Sequence, residues 1–218
     1  ATASMGFMQN LSSGEIVDQV LQLSNRSSSK ITNVVFMGMG EPFLNYQRVI
    51  EAAKIMNEKM KIGSRRITIS TAGIVSKIYQ MADDKLPYKL AVSLNAPNDD
   101  IRKKIMPLTL TNPINELLKA AEYYYNKVRR FITFEYVLLE DINSNEECAY
   151  QLIQLLNNIP CKVNLIPYNE IGASYSRPDN YTINNFERIL SEAPFTTTIR
   201  WSKGINIDAG CGQLAVSN

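Results

Sequence analysis

The sequence predicts an α/β protein whose parallel strands alternate with crossover helices in the manner of a barrel. Three observations carry that expectation. Short, β-branched apolar runs recur between segments whose apolar residues fall at helical spacing. The run Thr32–Met37 is nearly continuous rather than alternating, as strands covered on both faces are. Residues atypical of a core follow several strands directly, and a site assembled from many strand ends is the habit of barrels. A length of 218 residues suits one large domain.

The elements follow in order. Ser12 with Glu15 forms an S-x-x-E capping box, and Ile16, Val17, Val20 and Leu21 continue it as a helix over about 13–24. The run at 32–37 stops at Gly38 as a first strand, and Asn45 is placed to cap a helix carrying Val49, Ile50, Ala53 and Met56. Arg66–Ser70 is the second strand, and Ile74, Val75, Ile78 and Met81 mark the helix after it. Lys89–Leu94 is the third strand; Asn98 caps a short helix with Ile101 and Ile105, and Ile114, Leu117, Leu118 and Ala121 mark another. Ile132–Leu139 is a strand, Ser144 with Glu147 reads as a second capping box, and Ala149, Leu152, Ile153 and Leu156 belong to its helix. Lys162–Ile166 is a strand, Ile183, Phe186, Ile189 and Leu190 a helix, and Thr196–Arg200 a final strand.

Composition closes off several functions. The chain has no His, which removes the imidazole base of the common Ser and Cys triads and His-ligated zinc. Its three cysteines, Cys148, Cys161 and Cys211, are too few and too scattered for a disulfide framework or a metal quartet, and suit a reducing compartment. A formal net charge of +2 selects no partner, and no run approaches the roughly 18 apolar residues of a membrane span. The first residues, Ala1–Gly6, carry neither the basic nor the apolar region of a signal peptide and read as internal sequence.

The unusual residues sit after strands. Gly40 in Gly38–Pro42 lets a backbone come close to a ligand, and Glu41 beside it offers a carboxylate to an ammonium or hydroxyl; a plain glycine turn accounts for the same residues. Ser70, Ser93 and Asn95 end apolar strands, where they suit either helix caps or contacts to a ribose or carboxylate, and Asn169 is similar. Cys211, flanked by Gly210 and Gly212, reads as an accessible thiol, whereas Cys148 lies in a helix and Cys161 opens a strand. The pairs Arg65–Arg66, Lys103–Lys104 and Arg129–Arg130 suit solvated faces or phosphate contacts equally in their spacing.

Seven stretches in order, ATASMGFMQNL, VVFMGMGEPFLN, RRITISTAG, AVSLNAPNDDIRKKIMP, FEYVLLEDIN, CKVNLIPYN and INIDAGCGQL, resemble the RlmN/Cfr family of radical S-adenosylmethionine enzymes across nearly the whole chain. These methylate adenine in 23S ribosomal RNA and, for some members, transfer RNA. The resemblance implies a partial six-stranded, TIM-like barrel over 1–218, with the first strand, the cysteine loop that holds a 4Fe–4S cluster and a small accessory domain expected upstream. It implies that Gly40 and Glu41 line S-adenosylmethionine, Glu41 receiving its amino group, with Ser70, Ser93, Leu94, Asn95 and Asn169 completing the pocket. Cys211 would be the methyl carrier, and the resolving Cys would lie upstream. Asn95 stands where the family usually has His, and Asn cannot take a proton. RNA and an electron donor for the cluster are the implied partners, with a location in the cytoplasm or an organelle of bacterial descent. Two other classes share parts of this pattern: a non-catalytic barrel binding RNA or a nucleotide, and a sugar-phosphate barrel enzyme whose glycine loop holds phosphate.

Overall fold

The computed structural model describes residues 9–169 and 175–201. Six strands, β1 (Val34–Phe36), β2 (Ile67–Thr71), β3 (Lys89–Ser93), β4 (Ile132–Leu138), β5 (Cys161–Pro167) and β6 (Thr196–Ile199), pair in parallel in sequence order. Between and before them run α1 (Ser13–Arg26), α2 (Tyr46–Glu58), α3 (Val75–Asp83), α4 (Asp99–Ile105), α5 (Ile114–Val128), α6 (Glu146–Leu156) and α7 (Asn180–Leu190). Among the described residues the strand order never reverses, so this sheet has no switch point of the doubly wound kind there and advances in one direction, as a barrel wall does.

A flat sheet of six strands would hold β1 and β6 roughly 24 Å apart, at about 4.8 Å per neighbour. Yet Arg200, just past β6, reaches Met37, just past β1, with its guanidinium 3.4 Å from the sulfur. The sheet therefore curls at its C-terminal rim.

Side chains alternate between the two faces. Ile67 and Ile69, Leu90 and Val92, Ile132, Phe134, Tyr136 and Leu138, and Val163 and Leu165 enter one apolar core with the helices, and the Tyr136 ring meets Phe186 of α7 at 5.5 Å. Burying each such side chain contributes about 1.5–3 kcal/mol. The opposite, concave face carries Ser70, Ala91, Ser93, Glu135 and Asn164 instead.

The capping box of α1 is present as the sequence predicts, Ser12 Oγ accepting from Glu15 N at 3.2 Å. Other details differ. β1 is not covered on both faces: Val35 is 43% exposed, because it lies at the sheet edge on the concave side. Asn45 makes no cap and donates instead to Leu11 O, tying α2 to the segment before α1. The cap of α6 is Asn145, not Ser144, so the second capping box does not form.

Candidate functional site

The C-terminal ends of β1, β2, β3 and β5 bring Gly40, Glu41, Ser70, Ser93, Asn95 and Asn169 to one rim of the sheet. Gly40 has φ +91°, a conformation that glycine adopts without penalty, and among the described residues a Cβ there would meet nothing within 4 Å. The glycine is required by the turn, and open space lies before it.

Glu41 holds two loops together. Its Oε1 accepts from Phe43 N at 2.9 Å and its Oε2 from Ala72 N at 2.6 Å, joining the loop after β1 to the loop after β2. Burial pushes its carboxyl above the usual glutamate range, while these two amides and the Thr71 hydroxyl work against that shift. Each oxygen retains acceptor capacity for an ammonium group.

For Ser70, Ser93 and Asn169 the capping alternative fails. The Thr71 hydroxyl accepts from Gly73 N and Ile74 N ahead of α3, and Asn112 Oδ1 accepts from Val75 N at 2.9 Å. Asn98 caps α4 and Asp179 caps α7. Ser70 is buried, Ser93 half-buried and Asn169 buried, and none of them supplies the cap of the helix that follows.

Leu94 and Asn95 are tied into the protein by contacts of their own. The Leu94 side chain is fully buried in the helix-side core, its N–H donates to Glu135 O at 3.0 Å, and its carbonyl accepts from Arg102 Nε at 3.0 Å. Asn95 adopts φ +58° and spends both ends of its amide within the protein: Oδ1 accepts from Val137 N at 2.9 Å, and Nδ2 donates to Met106 Sδ at 3.2 Å. Both residues shape the rim from behind. Cys211 lies outside the described residues.

Four residues beyond the sequence-predicted set support or face this rim. Arg102 is completely buried and uses all five N–H groups: Nε to Leu94 O (3.0 Å), one terminal nitrogen to Asn112 O (3.1 Å) and Thr109 Oγ1 (3.3 Å), the other to Ala72 O (2.8 Å) and Ser93 O (3.1 Å). Burial lowers its pKa to about 10, with Asp99 opposing through space. Asn143 donates to Asn95 O at 2.8 Å and Val137 O at 2.7 Å and accepts from Leu139 N at 2.7 Å. Glu135 and Asn164 are hydrogen-bonded on the concave face at 3.1 Å. A charged residue inside the run FEYVLL was the available signal for Glu135; nothing in the sequence sets Arg102 apart from Lys103–Lys104 beside it.

The other candidate residues do not join the site. Arg65–Arg66 precede β2 and Arg129–Arg130 precede β4, at the opposite end of the sheet. Cys148 and Cys161 are buried, and burial raises both thiols, Cys161 to about 12. Among the described residues no group of His, Cys, Asp and Glu is arranged to hold a metal, and no helix is long and apolar enough to cross a membrane.

Comparison with known proteins agrees with this architecture. The chain is 47% identical, over 98% of its length, to a Thermoanaerobacter sp. (strain X514) protein named "Probable dual-specificity RNA methyltransferase RlmN", and 44% identical over its full length to a protein of that name from Synechocystis. It spans 63% and 62% of those relatives. The crystal structure of a radical SAM methyltransferase from Sphaerobacter thermophilus superposes with a TM-score of 0.92 at 42% identity, covering 96% of this chain and 63% of that one. Residues 3–153 match the radical SAM superfamily, and with a one-way parallel sheet bearing its polar residues on one rim, the chain belongs to that superfamily.

Proposed function

We propose that this chain is the catalytic barrel of an RNA methyltransferase that uses S-adenosylmethionine, and that its target is carbon 2 of an adenine in 23S ribosomal RNA, with transfer RNA as a second substrate. The observation that carries the reading is the gathering of Glu41, Ser70, Ser93 and Asn169 on one rim, where neither Ser70 nor Ser93 supplies the cap of the helix that follows it. These groups fit a ligand that bears an ammonium, a carboxylate and sugar hydroxyls: Glu41 accepts from the ammonium, and the serines and Asn169 serve the rest. Gly40 leaves the rim open beside Glu41. Asn95 and Leu94 act as supports for Ser93 rather than as contacts.

When bound with a reduced 4Fe–4S cluster, S-adenosylmethionine supplies a methyl group and a carbon-centred radical. The two described cysteines do not fit the cluster, being buried with raised pKa values, so no cluster ligand is assigned to them. Carbon 2 of adenine is not nucleophilic, so a carrier must intervene, and Cys211 is the residue whose glycine-flanked setting suits one. The adenine must be unstacked for its carbon 2 edge to be reached. Reduction of the cluster calls for an electron-donor partner.

A barrel enzyme whose glycine loop holds phosphate is disfavoured by the Glu41 carboxyl immediately beside Gly40, which would repel a phosphate laid against that loop. The test is mass spectrometry on the full-length protein isolated from cells, with its cluster and cofactor supply verified. A methyl or methylene on the Cys211 peptide, together with methyladenosine in the target RNA, is the expected result. An unmodified Cys211 would refute the carrier and favour a barrel that binds nucleotides without catalysis.

A further inference from the structure

Glu135 stands out among the groups that the pocket described above does not use. It is 5% exposed, in the middle of β4, and its neighbours Phe134 and Tyr136 turn into the helix-side core, so its side chain lies on the concave face. Across the sheet it is in register with Ser93 on one side and Asn164 on the other. Its Oε1 accepts from Asn164 Nδ2 at 3.1 Å, and the Asn164 carbonyl oxygen in turn accepts from the Thr198 hydroxyl, which fixes the amide and hence the carboxyl. Its Oε2 is buried and has no hydrogen-bond partner among the described residues.

A buried carboxylate oxygen without a donor costs free energy that folds seldom tolerate without return. The position of this one is informative, because Ser93, its register neighbour, belongs to the proposed pocket and is not engaged as a cap. We infer that Glu135 is a ligand-binding residue, its Oε2 accepting a hydrogen bond from a ribose hydroxyl of the adenosyl group that lies across Ser93. This rests on the cofactor reading above. A carboxylate is the usual acceptor for a ribose diol in nucleotide sites, since it offers lone pairs to an O–H donor and excludes a phosphate from the same place. Asn164 and Thr198 serve as positioning residues that aim the carboxyl.

The experiment is calorimetric titration of the full-length protein with S-adenosylhomocysteine and with its 2′-deoxy and 3′-deoxy analogues, repeated on Glu135→Gln. Wild-type protein should lose roughly tenfold to a hundredfold in affinity for one of the two deoxy analogues, the range of a hydrogen bond to a charged acceptor. Glu135→Gln should bind the parent ligand weaker by a similar factor and should no longer distinguish it from that analogue. Equal binding of all three ligands by wild-type protein overturns the inference while leaving the cofactor reading intact, and this arm does not depend on how the variant folds. A Glu135→Gln protein that keeps the full discrimination overturns it as well. Failure of wild-type protein to bind S-adenosylhomocysteine overturns the cofactor reading and the inference with it.

Discussion

Replacing Arg102 by Met tests whether one buried cation organises the rim. Arg102 is completely buried and makes five hydrogen bonds, four of them to the main-chain carbonyls of Ala72, Ser93, Leu94 and Asn112. The fifth partner, Thr109, keeps its own bond to Met106 O at 2.7 Å and is not stranded. Met preserves most of the volume and removes every donor, so up to four carbonyls lose a partner. A stranded buried acceptor costs about 1–3 kcal/mol, and carbonyls lie at the low end because they tolerate partial satisfaction. Against this stands the burial of a guanidinium, whose cost is visible in a pKa lowered to about 10. At about 1 kcal/mol or slightly more for each of the four carbonyls, the net expectation is a loss of about 3–5 kcal/mol. With a denaturant slope of about 2 kcal/mol per molar urea, the midpoint should fall by about 1.5–2.5 M. Arg102→Lys should recover only part of the loss, because an ammonium cannot reproduce the planar fork that reaches Leu94, Ala72 and Asn112 at once. A Met variant that unfolds within about 1 kcal/mol of wild type would refute the reasoning.

Gly73→Ala should destabilise by about 1–3 kcal/mol, because φ is +109° there and a new Cβ would lie 3.0 Å from an Arg102 terminal nitrogen; urea titration beside Arg102→Met measures it. Burial raises the Glu135 carboxyl, so its contribution to stability is fully present below the ordinary glutamate pKa and is lost as pH rises through the raised folded-state value. Glu135→Gln should remove that component, so that between acidic and alkaline pH the variant loses less stability than wild type; an identical pH profile of unfolding free energy would contradict the assignment. Cys148 and Cys161 should resist iodoacetamide at pH 8 in the native protein and react on unfolding, as peptide mass spectrometry would read, since both are buried with raised thiols.

Local patterns in the sequence determined the αβ alternation, the box at Ser12 and Glu15, and the strand-end positions of Gly40, Glu41, Ser70, Ser93 and Asn169. Each depends on a spacing or turn chemistry confined to a few residues. Whether Ser70 and Ser93 cap the helices after them was not a local matter. It turned on Asn112, which reaches Val75 from 37 residues away, and on Thr71 and Asn98 taking the capping work. The internal partners of Asn95 and Leu94, Val137 and Arg102, are likewise set by how β4 and α4 pack against the β3 end. The roles of Glu135 and Arg102 are not legible in the stretches that contain them. One is a carboxylate whose meaning comes from Ser93 and Asn164 beside it in register, the other a cation whose meaning comes from four carbonyls. Periodicity and turn chemistry act over a few residues and are therefore written in the sequence. Which polar atoms find partners, and which are left facing a ligand, is decided only when distant strands are brought side by side.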